Sequence, residues 1–264
     1  MIAPAWRPET ALAIKAGRRA LKLAGSGRGA GDVRIKGTRD LVTDTDITVE
    51  DTLRGILSQL PRSTVVGEER GGEPPGDGSP YWLVDPICGT ANFASGIPLY
   101  CVNLALVEDG QVTVAVVGDA STGSIHVAEQ GGGAWALGDG PAQQLTVSEQ
   151  SRIIVIEDGR CHGRRRERAA RGTAAAIRAD KWDLRALSTT LSLPYVAASR
   201  VAGYLAFRAP ALHTAAGSLL AAEAGATVSD IDAHPWTTSS DSIIAAANPS
   251  LHRELLAIAQ APMI

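Results

Sequence analysis

The residues able to do chemistry fall into a few segments. Cys88 lies in WLVDPICGT, with the acid Asp85 before it and the turn Gly89-Thr90 after it. A thiol at such a place becomes a nucleophile only if its pKa is depressed. A cysteine beside a glycine turn otherwise packs as a small hydrophobe. Cys161-His162 opens RCHGRRRER, which could hold an anionic group but has the composition of a solvated helix face. His126 alternates with apolar residues and His234 precedes Pro235 in a turn, and neither has a neighbour in sequence that suggests ligation. Acids also gather in DLVTDTD, ending at Asp46, and in GEE at 67–69.

The elements that must position these residues follow from periodicity and punctuation. Residues 8–25 have the amphipathic spacing of a helix that ends in GSGRGAG. From Leu41, Thr and Asp caps, early acids and apolar residues at Val49, Leu53, Ile56, Leu57 and Leu60 predict a second helix stopped by Pro61. STVVGEER predicts a strand and acidic turn, and YWLVDPICGT another strand and turn. Residues 99–117 predict a hairpin turning at Asp109-Gly110, with two more strands in STGSIHVAEQGGGAWAL. The first half thus reads as helices followed by an antiparallel sheet. Beyond it, RIIVIED predicts a strand, 163–178 an arginine-rich helix and 188–199 another helix. ALHTAAGSLLAAEAG has the small, apolar residues of a buried helix ending at Gly225. SIIAAAN and the segment after Pro249 predict a final strand and helix.

Composition narrows the class of function. A chain of 264 residues, 45% hydrophobic with a formal net charge of −3, is globular and carries no basic footprint for nucleic acid or an anionic membrane. Three scattered cysteines do not form a disulfide framework, and free thiols in a reducing compartment are expected. The N-terminus mixes apolar residues with Arg7, Lys15, Arg18, Arg19 and Lys22, unlike a signal peptide. No apolar run reaches membrane-spanning length. A cytoplasmic protein with a small-molecule partner is expected. Two closely packed subdomains are expected, an N-terminal α+β unit over 1–150 and a C-terminal α/β unit over 151–264.

In order along the chain, GEE at 67–69, WLVDPICGTANFASG at 82–96, AAGSLLAAEAG at 215–225 and SIIAAAN at 242–248 resemble the inositol monophosphatases, and the similarity spans nearly the whole sequence. The resemblance implies an α/β (α+β) fold, a layered αβαβα sandwich, as a homodimer with its site between layers. Magnesium needs hard oxygen ligands, and phosphate-ester hydrolysis needs an activated water and a neutralised leaving oxygen. By the resemblance Glu68, Asp85 and the Ile87 carbonyl are metal ligands, and Asp46 and Thr90 orient the attacking water. Gly89 and Thr90 cradle phosphate. Ser188 and Thr189 join them as candidate substrate-binding residues.

The sequence departs from the family pattern at three places. Cys88 and His213 replace two metal-binding aspartates, and Ala206 stands where the family has a glutamate that contacts substrate hydroxyls. Transferring the fold brings Cys88, His213 and Asp85 together, the composition of a nucleophile, a base and an orienting acid. The expectation is an enzyme, hydrolase or transferase and of a biosynthetic kind, that has lost the two-magnesium site. It would need no cofactor and act on a small metabolite through these three residues. The alternatives are a residual phosphomonoesterase on a sugar or cyclitol phosphate, with Mg or Zn at Glu68, Asp85 and Ile87, and a non-catalytic anion-binding or regulatory protein. Trp182-Asp183 lies about thirty residues too early to supply the missing aspartate.

Overall fold

The structure is a computed structural model, and it describes residues 4–27, 33–37, 40–61 and 64–262. The chain runs α1 (Pro8–Gly27), β1 (Val33–Gly37), β2 (Asp40–Thr43), α2 (Asp44–Leu57), β3 (Thr64–Gly67), β4 (Tyr81–Cys88), α3 (Thr90–Ala94), β5 (Cys101–Glu108), β6 (Gln111–Asp119), β7 (Ile125–Glu129), β8 (Gly133–Leu137) and β9 (Gln143–Leu145). It continues through β10 (Ile153–Glu157), α4 (Gly163–Ala179), β11 (Asp183–Arg185), α5 (Ser192–Ala197), β12 (Gly203–Ala206), α6 (Ala211–Glu223), β13 (Thr227–Ser229), β14 (Ile243–Ala246) and α7 (Pro249–Ala259).

Strands β3 to β9 form a seven-stranded sheet in sequence order, and a five-stranded sheet has the order β11-β10-β12-β14-β13. Period-two alternation decides what each face of the larger sheet covers. Val84, Val102, Leu104, Val114 and Val116 pack on one side with Ala13, Ala16 and Ala20 of α1 and Val49 and Leu53 of α2. Leu83, Ala105, Val107, Ala115 and Val117 pack on the other with Ala215, Ala216 and Leu219 of α6. The smaller sheet behaves alike: Val155, Tyr204 and Ala245 meet α5 and α6 through Leu193, Val196 and Ala221, while Ile154, Leu205 and Ile244 meet α4 and α7 through Ala169, Ala176 and Leu255. The order of layers is therefore α1/α2, sheet, α5/α6, sheet, α4/α7, the αβαβα sandwich. Close approach in the middle layer depends on a small residue, since a Cβ on Gly217 would lie 2.5 Å from Leu193 Cδ1.

Several expected boundaries move for local reasons. The second helix begins after Thr43, whose hydroxyl accepts the Asp46 N–H while Asp46 Oδ2 accepts the Thr43 N–H at 2.9 Å, a capping box. It ends at Leu57, well before Pro61, where the Ser58 N–H turns back to the Arg54 carbonyl at 2.9 Å. The larger sheet is not wholly antiparallel, because β3 pairs with β4 in parallel. The antiparallel pair β1–β2 and the three-residue strands β9, β11 and β13 carry too few alternations to stand out in sequence. GSGRGAG extends into residues outside the described ones. Among the described residues no helix is long and apolar enough to cross a membrane.

The regular alternation of β4 breaks near its end. Asp85 pairs with Asn103 and Cys88 with Cys101, so three steps on β4 match two on β5. The extra residue is a bulge, and Pro86, which has no N–H for the ladder, lies within it. Leu83 and Cys88 face the α6 side while Val84 and Ile87 face α1 and α2, an inversion of parity that a regular strand could not give.

Candidate active site

The end of β4, the five-residue α3, the start of α6 and the 188–190 segment border a cavity of about 430 Å³, a size suited to a small metabolite. A helix as short as α3 does not hold itself. Phe93 pins it, fully buried edge-on against Tyr100 with centroids 5.2 Å apart. Asn92 ties it across the molecule, donating from Nδ2 to the carbonyls of Leu99 and Leu187, both at 2.7 Å. Gly89 caps it with φ of 107°, a left-handed conformation in which a Cβ would lie 3.0 Å from the Leu99 carbonyl oxygen.

Glu68, Ile87, Cys88, Gly89, Thr90 and His213 all line the cavity, as do Ser188 and Thr189. Asp85 lies beneath, fully buried, with Oδ2 2.7 Å from His213 Nδ1 and 3.4 Å from Asn103 Nδ2. Its other oxygen, Oδ1, is buried without a hydrogen-bond partner. Thr90 Oγ1 sits 3.1 Å from the Ile87 carbonyl and 3.3 Å from Asp46 Oδ1. Asp46 is buried, and that burial raises its carboxyl pKa against the opposing hydrogen bonds from Thr43. The Thr189 hydroxyl is committed to the Cys88 carbonyl at 2.8 Å, and the Ser188 N–H to Glu157 Oε1 at 2.7 Å.

The geometry brings Asp85, Cys88 and His213 together, each offering a donor atom within 4.8 Å of the others. Their protonation is not that of a nucleophile and base. A hydrogen bond with Cys101, burial and the nearby Asp85 charge all push the Cys88 thiol up, so it keeps its proton at neutral pH. Burial disfavours the His213 imidazolium, but the charge and hydrogen bond of Asp85 prevail and carry its pKa up to about 10. Asp85, although desolvated, is held below the usual carboxylate range by His213. A protonated thiol beside an imidazolium cannot be deprotonated by it, so an activated thiolate is not what this arrangement provides.

Some participants carry no signal in the sequence. Thr190 donates from Oγ1 to Cys88 Sγ at 3.0 Å and from its backbone N–H at 3.4 Å. Asn103 Nδ2 reaches Thr190 Oγ1 at 3.0 Å. Glu50 accepts the N–H groups of Glu69 at 2.6 Å and Arg70 at 3.0 Å, fastening the turn that carries Glu68. Asp158, Arg160, Tyr204 and Arg208 complete much of the cavity wall. Ala206 is buried among β12 neighbours and does not line it. The remaining candidates lie elsewhere. His126 is buried on β7, where loss of solvent lowers its pKa to about 4. His234 is exposed beside Asp230. Trp182 packs near α4 and α7. RCHGRRRER leads into α4, where Arg165 pairs with Asp241 and Arg168 with Asp232.

The donor set can be tested against a divalent cation. Buried Asp85 Oδ1 lacks a partner, and Glu68 and Ile87 line the cavity, so the carboxylates and the Ile87 carbonyl are a donor set that suits a hard cation held by oxygens. Cys88 and His213 add a sulfur and a nitrogen donor near Asp85.

Known proteins agree with this frame. The family model "Inositol monophosphatase family" matches residues 5–263. An inositol-1-monophosphatase of Mesorhizobium japonicum is 34% identical over 256 residues, covering 95% of this chain and 94% of its own. The SuhB structure from Bartonella henselae superimposes with a TM-score of 0.87 at 25% identity, over 96% of this chain and 98% of that one. The Thermotoga maritima IMPase does so at 0.81 and 27%, over 94% and 95%. Two expectations are thereby corrected. Relatives matched across almost their whole length are named as phosphatases, which overturns an enzyme that abandoned phosphate hydrolysis for thiol chemistry. Membership of a metal-dependent family likewise overturns the absence of a cofactor. By sequence and by architecture, the chain belongs to the inositol monophosphatase family.

Proposed function

We propose that the protein is a metal-dependent phosphomonoesterase acting on a small sugar or cyclitol phosphate, as the names of its relatives suggest. The observation that carries this is the linked set of Asp46, Thr90 and the Ile87 carbonyl, set against Glu68 and orphaned Asp85 Oδ1. Glu68, Asp85 and the Ile87 carbonyl are the residues that would hold a divalent cation. When bound, such an ion supplies polarisation of the phosphoryl oxygens and neutralises developing charge.

The remaining steps belong to the chain itself. Thr90 Oγ1 stands between Asp46 and the cavity, so its hydroxyl can accept a proton from an attacking water while passing its own to Asp46 Oδ1. Burial, by raising the Asp46 pKa, makes that carboxylate the better acceptor. The first-turn amides of α3 present donors to a phosphate, since the opening N–H groups of a helix have no partner within it. Ala206, being buried, gives no hydroxyl contact, which leaves substrate selection to the wall of Asp158, Arg160 and Arg208. Homodimerisation, known for the family, is proposed with it.

The test is release of inorganic phosphate from a panel of inositol and sugar monophosphates, before and after chelation. Wild type turns over at least one member and loses that turnover on chelation. Asp46→Asn lowers kcat by about 10²–10⁴-fold. No turnover on the panel, or turnover untouched by chelation, overturns the proposal.

A further inference from the structure

We propose that Cys88 and His213, with Asp85, form a cation position that selects a borderline divalent ion of the zinc and cobalt class over magnesium. It deepens the phosphomonoesterase reading by naming the metal chemistry of the same pocket. Three observations carry it. Donor atoms of Asp85, Cys88 and His213 lie within 4.8 Å of one another, close enough to converge on a single ion. Asp85 Oδ1 is buried and unpartnered, so a desolvated oxygen lacks the cation or donor that would offset its burial. Both other donors are already oriented: Asp85 Oδ2 holds the His213 ring through Nδ1, and the Thr190 hydroxyl and N–H hold the sulfur.

Donor type then decides the ion. Magnesium requires oxygen ligands in near-octahedral array, and neither a sulfur nor an imidazole meets that need. Thiolate and imidazole favour zinc and its neighbours, which accept three protein ligands and leave a position open. As the sulfur–metal bond forms, the Cys88 proton passes to solvent, and His213 likewise sheds its proton before ligating. The two anions, Asp85 and Cys88, balance the dication. Asp85 is common to this position and to the oxygen set of Glu68 and Ile87.

The experiment uses chelator-stripped protein titrated with cobalt(II), followed by thiolate-to-cobalt charge-transfer absorption, and with zinc and magnesium by calorimetry. Wild type shows the absorption band. The near-isosteric Cys88→Ser abolishes it, while Cys101→Ser, at the neighbouring thiol, leaves it intact. Zinc binds at least about tenfold more tightly than magnesium, a difference of about 1.4 kcal/mol, and the Cys88→Asp/His213→Asp double variant loses that preference. A missing band, a band that survives Cys88→Ser, or equal affinities overturn the proposal. A band without phosphate release sinks the phosphatase reading and leaves the metal position; phosphate release without a band does the reverse.

Discussion

Glu50 offers the sharpest test of how the site is held. It is fully buried, with Oε2 accepting the Glu69 N–H at 2.6 Å and Oε1 accepting the Arg70 N–H at 3.0 Å and Arg54 Nε at 2.9 Å. Arg54 in turn donates to the carbonyls of Val65, at 2.9 Å, and Gly71. A Cβ on Gly67 would fall 2.1 Å from Glu50 Oε1, so turn and carboxylate are in direct contact. Glu50→Ala leaves two backbone donors and a partly buried guanidinium without their acceptor. Each unsatisfied donor costs about 1–3 kcal/mol, and breaking a buried pair costs about 3–5 kcal/mol. These overlap, and a total of about 3–5 kcal/mol is expected, or a Tm lower by about 6–20 °C at this chain length.

The functional consequence is separable from the thermodynamic one. Glu50 is not among the residues that line the site cavity, yet it holds the backbone next to Glu68, so metal affinity falls by about 10–100-fold, as for other supports of a ligand. Glu50→Gln keeps one acceptor oxygen and loses only part of both. Urea unfolding with an unchanged m-value measures the first effect, and calorimetric metal titration of folded protein measures the second. A stability loss under about 1 kcal/mol for Glu50→Ala, or unchanged metal affinity, would refute the argument.

Gly89→Ala places a side chain at positive φ, 3.0 Å from the Leu99 carbonyl and 3.2 Å from Thr189 Cβ; backbone strain and overpacking together cost about 2–4 kcal/mol, read from denaturant midpoints. His213 titrates near 10 when folded against 6.5 for the ordinary group. Its stabilising contribution in stripped protein is therefore complete below about pH 6.5 and lost as pH rises through 10. Between those limits it declines by up to about 1.4 kcal/mol per pH unit. His213→Gln flattens that decline, and superimposable profiles for the two proteins would count against the Asp85 pairing.

Much of the architecture was legible because its signals are local. The Asp109-Gly110 turn and the alternating strands of the larger sheet need only neighbours in sequence and lie where expected, and the cap of α2 is one of the Thr and Asp candidates, Thr43. Asp85, Cys88 and His213 were brought together through resemblance, and they do meet, across 128 residues in the case of Asp85 and His213. Their protonation was not legible. Whether Cys88 is thiol or thiolate depends on burial, on Cys101 and on the Asp85 charge, all of which exist only after folding. Thr190 and Glu50 were missed for a related reason. A threonine in a turn and a glutamate within a helix carry no mark of the sulfur or the amides they will serve, 102 and 19 residues away.

The bulge in β4 also affects what changes of chain length this site can tolerate. Because Pro86 supplies one surplus residue, Asp85 and Cys88 share a side of the sheet although three positions apart. Straightening the bulge at unchanged length would turn the sulfur toward α1 and α2, with every amino acid still present, whereas deleting Pro86 would leave Asp85 and the sulfur on one side, two regular positions apart. Identity at positions 85 and 88 is thus meaningful only together with the parity between them. In comparing relatives, a one-residue gap here is compatible with retained metal chemistry, while loss of the bulge without a gap is not.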